Sequence, residues 1–235
     1  MRSPGGWKCA ARCVRWIRES LPVRAAVLLV LAAGAVIVFA DLAEDVLERE
    51  TVAFDRAVAL AIHGLDAPLV DAVMRAFSAC GSAVAVLPVV AVVAAWGFAR
   101  GERETAGVFL AVAALAEVLN VVLKHLFHRA RPALFEEIPS PQSFSFPSSH
   151  AMLAAAVYGM AGFVLARLRP RLRTPLAVAT PALVLLIGAS RVYLGVHWPT
   201  DVLAGFAAGA LVLVAGVLAL GRAGRSGASR VGNAP

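Results

Sequence analysis

Three short segments carry residue types and spacings that together describe one kind of chemistry. They are Lys124-x6-Arg131-Pro132, Pro147-Ser148-Ser149-His150 and Ser190-Arg191-x5-His197-x3-Asp201. Between them they supply three cations, two histidines, one carboxylate and a serine at a predicted helix start. That set can grip a phosphate, attack its phosphorus and protonate what leaves. His197 and Asp201 stand four apart around Pro199, a residue favoured in a first helical turn. On one helical face Asp201 can accept the Nδ1–H of His197 and leave Nε2 free to attack. A metal-ligand pair and a simple helix cap are the other readings of His-x3-Asp. Ser148 is placed at or near an N-cap, where free backbone N–H groups and the helix dipole favour phosphate, and His150 beside it could protonate a leaving oxygen. A plain capping serine with an interfacial histidine is the alternative. Lys124 and Arg131 can donate to phosphate oxygens, Arg131 to two at once, although a basic loop touching anionic lipid heads has the same composition.

The elements that must position these groups are apolar. The chain has 235 residues, 60% hydrophobic and 16% charged, above the roughly 45–50% apolar share of soluble domains. Continuous apolar stretches at 23–40, 82–99, 105–127, 149–167, 174–190 and 201–220 predict six membrane-spanning helices. The expected fold class is therefore an all-α membrane protein of six transmembrane helices. Residues 41–81, with helix-like spacing of Val52, Phe54, Val58, Ile62 and Leu65 among acids, predict amphipathic helices on the outer surface between helices 1 and 2. Packing against the bundle explains that segment without a catalytic role. The predicted layout is a basic N-terminal segment 1–22, a membrane domain 23–220 and a flexible basic tail 221–235. The basic start and the 23–40 run also resemble a cleavable signal peptide, but five further spans favour its retention as the first helix.

Charge placement sets the expected orientation. The net charge of +7 does not point to nucleic acid, because the cations cluster in short loops between spans. Arg2, Lys8, Arg12, Arg15, Arg18, Arg24, Arg100, Arg103, Arg167, Arg169, Arg171, Arg173, Arg222, Arg225 and Arg230 fall on one side, which the positive-inside rule makes cytoplasmic. Lys124, Arg129, Arg131 and Arg191 fall on the other side and break that rule, a sign that function keeps them there. With this parity helices 3 and 5 end, and helices 4 and 6 begin, at one outer face, bringing all three segments together. Glu117, Asn120 and Lys124 form a polar stripe expected to face the bundle interior, while His63, His125, His128 and Arg129 read as interfacial. Cys9, Cys13 and Cys80 give no disulfide framework and no metal signature.

Taken together, the three segments resemble the signature of the type 2 phosphatidic acid phosphatase family, Lys-x6-Arg-Pro, Pro-Ser-Gly-His and Ser-Arg-x5-His-x3-Asp, with Ser149 in place of the usual glycine. Order and both long internal spacings match. The resemblance covers 124–201 directly and, through the six-helix layout, about 23–220. It implies a metal-independent phosphatase without a cofactor, in which His197 forms a phosphohistidine, Asp201 orients it and His150 is the general acid. It implies that Lys124, Arg131, Ser148, Ser149 and Arg191 hold the phosphoryl oxygens. The expected activity is hydrolysis of a lipid phosphate or diphosphate at the periplasmic leaflet of a bacterial inner membrane, with both termini cytoplasmic. Undecaprenyl diphosphate, phosphatidylglycerophosphate and phosphatidic acid are the candidate substrates. The same signature is compatible with a lipid phosphotransferase. A non-catalytic lipid-phosphate transporter or scaffold is disfavoured, since mere binding needs no nucleophile.

Overall fold

The structure is a computed structural model, describing the backbone of residues 5–65, 67–134 and 143–231 and the side chains of 23, 25–65, 67–134 and 143–221. The loop around Glu136, and the side chains of the basic start and tail, lie outside these residues. Among the described residues the chain is entirely helical. The helices are α1 (Gly5–Glu48), α2 (Val52–His63), α3 (Pro68–Cys80), α4 (Ala83–Ala99), α5 (Arg103–Phe127), α6 (Ser149–Leu153), α7 (Gly159–Leu168), α8 (Arg173–Tyr193) and α9 (Pro199–Val231). A π-helical turn, Ala154–Tyr158, joins α6 to α7. Five segments are long and apolar enough to cross a bilayer: Ala25–Glu48, Arg103–Phe127, Ser149–Leu168, Pro170–Tyr193 and Pro199–Gly221.

The remaining span differs from expectation. At 17 residues α4 is short for a bilayer, and it qualifies only together with α3, from which it is bent by 46° across Gly81-Ser82. With α3 counted as one arm of that bent pair, the candidate spans number six, and α3 is the amphipathic helix leading into α4. Gly81 is required at the bend by close approach: a Cβ there would lie 2.9 Å from the His150 ring. The first helix also runs beyond the expected 40, because Asp41 to Glu48 contains no glycine or proline. It stops where Arg49 adopts a left-handed φ of 64°. This extension buries Ala43 and Val46 against Phe146 and Ala204, beside the Pro147 loop. At the other end of the chain α9 continues to Val231, past the expected start of the tail.

α2 turns only part of its apolar spacing inward: Ile62 packs against the Ala151 and Val202 cluster and Val58 is partly buried. Val52 and Phe54 are exposed, whereas Asp55 and Ala59, one turn apart, are buried. The main core lies between α5, the α6–α7 segment and α9, where Phe109, Val112, Met152, Val157, Met160 and Val212 are buried. α9 approaches α6 closely enough that a Cβ on Gly205 would meet the Ser148 carbonyl at 2.7 Å. Gly205 and Gly209 form the small-xxx-small pattern by which membrane helices bring their backbones together.

Candidate active site

Four helix ends meet at one end of the bundle. α5 ends at a left-handed His128, whose N–H closes on the Lys124 carbonyl at 3.1 Å, and the chain turns sharply into Arg129–Pro132. α6 begins after Ser148, whose N–H donates to the Asp201 carbonyl at 2.9 Å, so the starts of α6 and α9 are stitched directly. α8 ends after Arg191, and the Val196 and His197 amides both return to the Arg191 carbonyl at 3.2 Å. These contacts bring Lys124, Arg131, Ser148, Ser149, His150, Arg191, His197 and Asp201 into one cluster.

His197 is its centre, only 1% exposed. Arg131 Nη1 lies 3.2 Å from His197 Nε2. A guanidinium can only donate, so Nε2 is the acceptor and the ring proton belongs on Nδ1. Nδ1 in turn faces Asp201 Oδ2 at 3.5 Å and Ser145 Oγ at 3.5 Å. The His-x3-Asp pair is therefore on one face as the spacing predicts, but its approach is long. Oδ2 is engaged by closer donors, the Ser145 hydroxyl and the Trp198 amide, the latter at 2.8 Å. Burial outweighs the Asp201 contact and lowers the His197 pKa to about 4, leaving the imidazole neutral at pH 7.

The cations are tied to the surrounding loop. Arg131 donates to the Ser143 carbonyl at 2.7 Å, the Val196 carbonyl at 2.7 Å and the Ser143 hydroxyl at 2.9 Å. Burial lowers its pKa from the usual guanidinium range, and Asp201 opposes that shift. Lys124, 8% exposed, donates to the Phe144 carbonyl at 2.5 Å. Arg191, also 8% exposed, donates to the Ser78 hydroxyl at the α3–α4 bend, while its Nε has no protein partner. Ser148 occupies the N-cap position, yet its hydroxyl caps nothing and is likewise buried without a partner. His150, half-buried beneath Gly81, lies within Coulombic reach of Arg191, His197, Arg131 and Lys124. Asn120 supports the loop from below, with Nδ2 3.5 Å from the Pro147 carbonyl. Glu117, expected to share the inward stripe, is exposed instead. Among the described residues no group of three or more His, Cys, Asp or Glu side chains is placed to hold a metal ion.

Several residues were not legible as site members. Ser145 sits three positions before Ser148 with no distinguishing sequence signal. Arg129, read as interfacial, is buried apart from 12% of its side chain and paired with both Asp55 and Asp201 at 2.6 Å. Its position on the side that breaks the positive-inside rule was the available signal. Asp55 was hidden by the apolar spacing around it. His63 is partly buried, its ring 6.2 Å from Tyr193.

Residues 105–225 match the model of the PAP2 superfamily. The chain is 34% identical over 161 residues to phosphatidylglycerophosphatase B of Bacillus subtilis, covering 67% of this chain and 79% of that one. It is 32% identical over 163 residues to decaprenylphosphoryl-5-phosphoribose phosphatase of Mycobacterium tuberculosis, covering 66% and 85%. The crystal structure of a transmembrane PAP2-type phosphatidylglycerolphosphate phosphatase from Bacillus subtilis superposes with a TM-score of 0.74 at 30% identity, over 83% of this chain and 96% of that one.

Proposed function

Because the chain belongs to the PAP2 superfamily and is a membrane lipid phosphatase, we propose that it hydrolyses a lipid phosphate or diphosphate through a phosphohistidine on His197. The observation that carries this reading is the placement of the imidazole: Arg131 lies on Nε2 and Asp201 with Ser145 on the Nδ1 side, an arrangement that favours a neutral ring with its lone pair toward the cations. In the first step Nε2 forms a bond to phosphorus as the bond to the leaving oxygen breaks, and His150 gives that oxygen a proton. The imidazole becomes cationic and Asp201 stabilises it. Water then attacks phosphorus, His150 accepts its proton, and the P–N bond breaks to release phosphate and restore neutral His197. Lys124, Arg131 and Arg191, with Ser148, Ser149 and the first amides of α6, would hold the three phosphoryl oxygens. Arg131 and Lys124 would exchange loop carbonyls for those oxygens, and the unpartnered Ser148 Oγ and Arg191 Nε are donors a phosphoryl group can satisfy.

Such a pocket supplies cationic charge stabilisation of the kind divalent metals provide in other phosphoryl-transfer sites, which makes the reaction metal-independent. A lipid tail has a place beside it. A groove of about 690 Å³ runs between α1 and α9, lined by Val30, Val38, Leu203 and Phe206, and its inner wall starts two residues beyond Asp201. Undecaprenyl diphosphate, phosphatidylglycerophosphate and phosphatidic acid all fit this description. The charge distribution favours an outward-facing site in a bacterial inner membrane, with both termini cytoplasmic and residues 23–220 as the catalytic domain.

The test is phosphate release by purified protein in detergent across those three lipids, with acid-quenched labelling of the enzyme by ³²P substrate. His197→Ala should abolish both turnover and label. His150→Ala should accumulate little product, with loss of about 10²–10⁴-fold. Near-normal hydrolysis by His197→Ala would overturn the mechanism.

A further inference from the structure

Asp55 and Arg129 form a buried ionic chain that ends on the carboxylate behind His197. Arg129 bridges two acids: Nη2 binds Asp55 Oδ2 and Nη1 binds Asp201 Oδ1, each at 2.6 Å. Both carboxylates are fully buried. Arg129 also donates to Thr51 Oγ1 at 2.9 Å and Thr200 Oγ1 at 2.8 Å. Asp55 accepts the Thr200 amide at 3.0 Å and the Thr200 hydroxyl at 2.7 Å, so it grips the residue next to Asp201 as well. Buried charges of this kind are costly unless paired, and here the pairing is arranged around one catalytic candidate.

We propose that Asp55 and Arg129 are positioning residues that set the geometry and effective charge of Asp201, and through it the reactivity of His197. The proposal rests on His197 being the nucleophile. Charge counting explains why a second acid is present. An Arg129–Asp201 pair alone is neutral, and would leave the imidazolium ring of the phosphohistidine without a counter-charge, since Lys124, Arg131 and Arg191 are matched to the phosphoryl oxygens. Adding Asp55 gives the trio a net charge of −1, which the cationic imidazole brings to zero as the P–N bond forms. The effect is larger once the imidazolium ring has formed than with the neutral imidazole, so it acts on kcat rather than on binding. Geometry adds a second contribution. Arg129 takes Oδ1 while Trp198 N–H and the Ser145 hydroxyl take Oδ2, which fixes the carboxylate plane relative to the imidazole. Asp55 lies on α2, ahead of the 105–225 stretch that matches the family model, so an element outside that stretch completes the site.

A double-mutant cycle on the full chain in detergent tests this, with kcat and KM measured on a soluble short-chain lipid phosphate. Asp55→Asn keeps shape and can still accept from Thr200, but removes the charge. Its kcat should fall about 10–100-fold with KM changed less than about threefold, following the rule that each tenfold is about 1.4 kcal/mol. Arg129→Lys should lose a similar factor, because one ammonium cannot serve both carboxylates in a fixed fork. In an Asp201→Asn background both losses should shrink to about twofold, since their route to His197 has been removed. A merely structural role would lower activity by the same factor in either background, and that result would overturn the proposal, as would full kcat in Asp55→Asn. If Asp55→Asn fails to fold, the Arg129→Lys cycle decides on the same criterion. Failure here with a dead His197→Ala enzyme sinks only this inference, whereas an active His197→Ala enzyme sinks the reading beneath it.

Discussion

Replacing Gly205 by alanine tests whether catalysis depends on the contact between α9 and the start of α6. An alanine Cβ at 205 would lie 2.7 Å from the Ser148 carbonyl oxygen and 3.0 Å from Ala151 Cβ. Ordinary contact begins near 3.4 Å, so about 0.7 Å of separation is needed at Ser148. The obstructing oxygen is backbone and cannot rotate away. The displacement therefore falls on the segment that presents Ser148 and His150 to His197, and strains the Ser148 N–H bond to the Asp201 carbonyl. A misplacement near 1 Å can lower rate about 10²-fold, so kcat should fall by about 10- to 100-fold. Overpacking should also lower stability by about 1–3 kcal/mol. The assay is steady-state phosphate release paired with a thermal unfolding curve in the same detergent. Gly107→Ala is the control, since a Cβ there meets nothing within 4 Å, and it should leave kcat and unfolding temperature unchanged. A Gly205→Ala enzyme with kcat within twofold of the parent would refute the idea that this helix contact sets the catalytic geometry.

Other expectations follow from the same cluster. With the His197 pKa at about 4, the acid limb of kcat/KM belonging to the nucleophile should lie near pH 4 rather than 6.5. Activity falls as pH drops through that value because Nε2 takes up a proton. The substrate's own titration, measured by ³¹P NMR, must be divided out, and a nucleophile limb near 6.5 would contradict the burial argument. Activity should survive EDTA and be inhibited by vanadate, which can adopt the five-coordinate geometry between His197 and the cations. Loss in EDTA restored by Mg²⁺ would contradict the cationic pocket. Fifteen of the 22 Lys and Arg residues fall on the side assigned to the cytoplasm. A cysteine introduced at Glu136, after Cys9, Cys13 and Cys80 are replaced by serine, should therefore react with an impermeant maleimide in intact cells. One introduced at Leu172 should react only after lysis, and a reversed pattern would move the site to the cytoplasmic leaflet.

The helical membrane class, the family and the order of the reactive groups were legible from residues alone, because these depend on local composition and spacing. Apolar runs of bilayer length leave helices as the economical way to satisfy the backbone, whatever their neighbours. A spacing of four likewise places His197 and Asp201 on one face before any packing is known. Span parity brought Lys124, His150, Arg191 and His197 to one end, since each crossing reverses the chain. Contacts between groups distant in sequence were not legible in that way. Asp55 and Arg129 are 74 positions apart, and Ser145 and Asp201 are 56 apart. Such pairings follow from how helices rotate when they pack and where the loops holding Arg129 and Ser145 are carried, and no local period records either. The same cause turned Asp55 inward and Glu117 outward, and set α3 at 46° to α4. Spacing identified the groups that could react; packing chose which buried charges surround them.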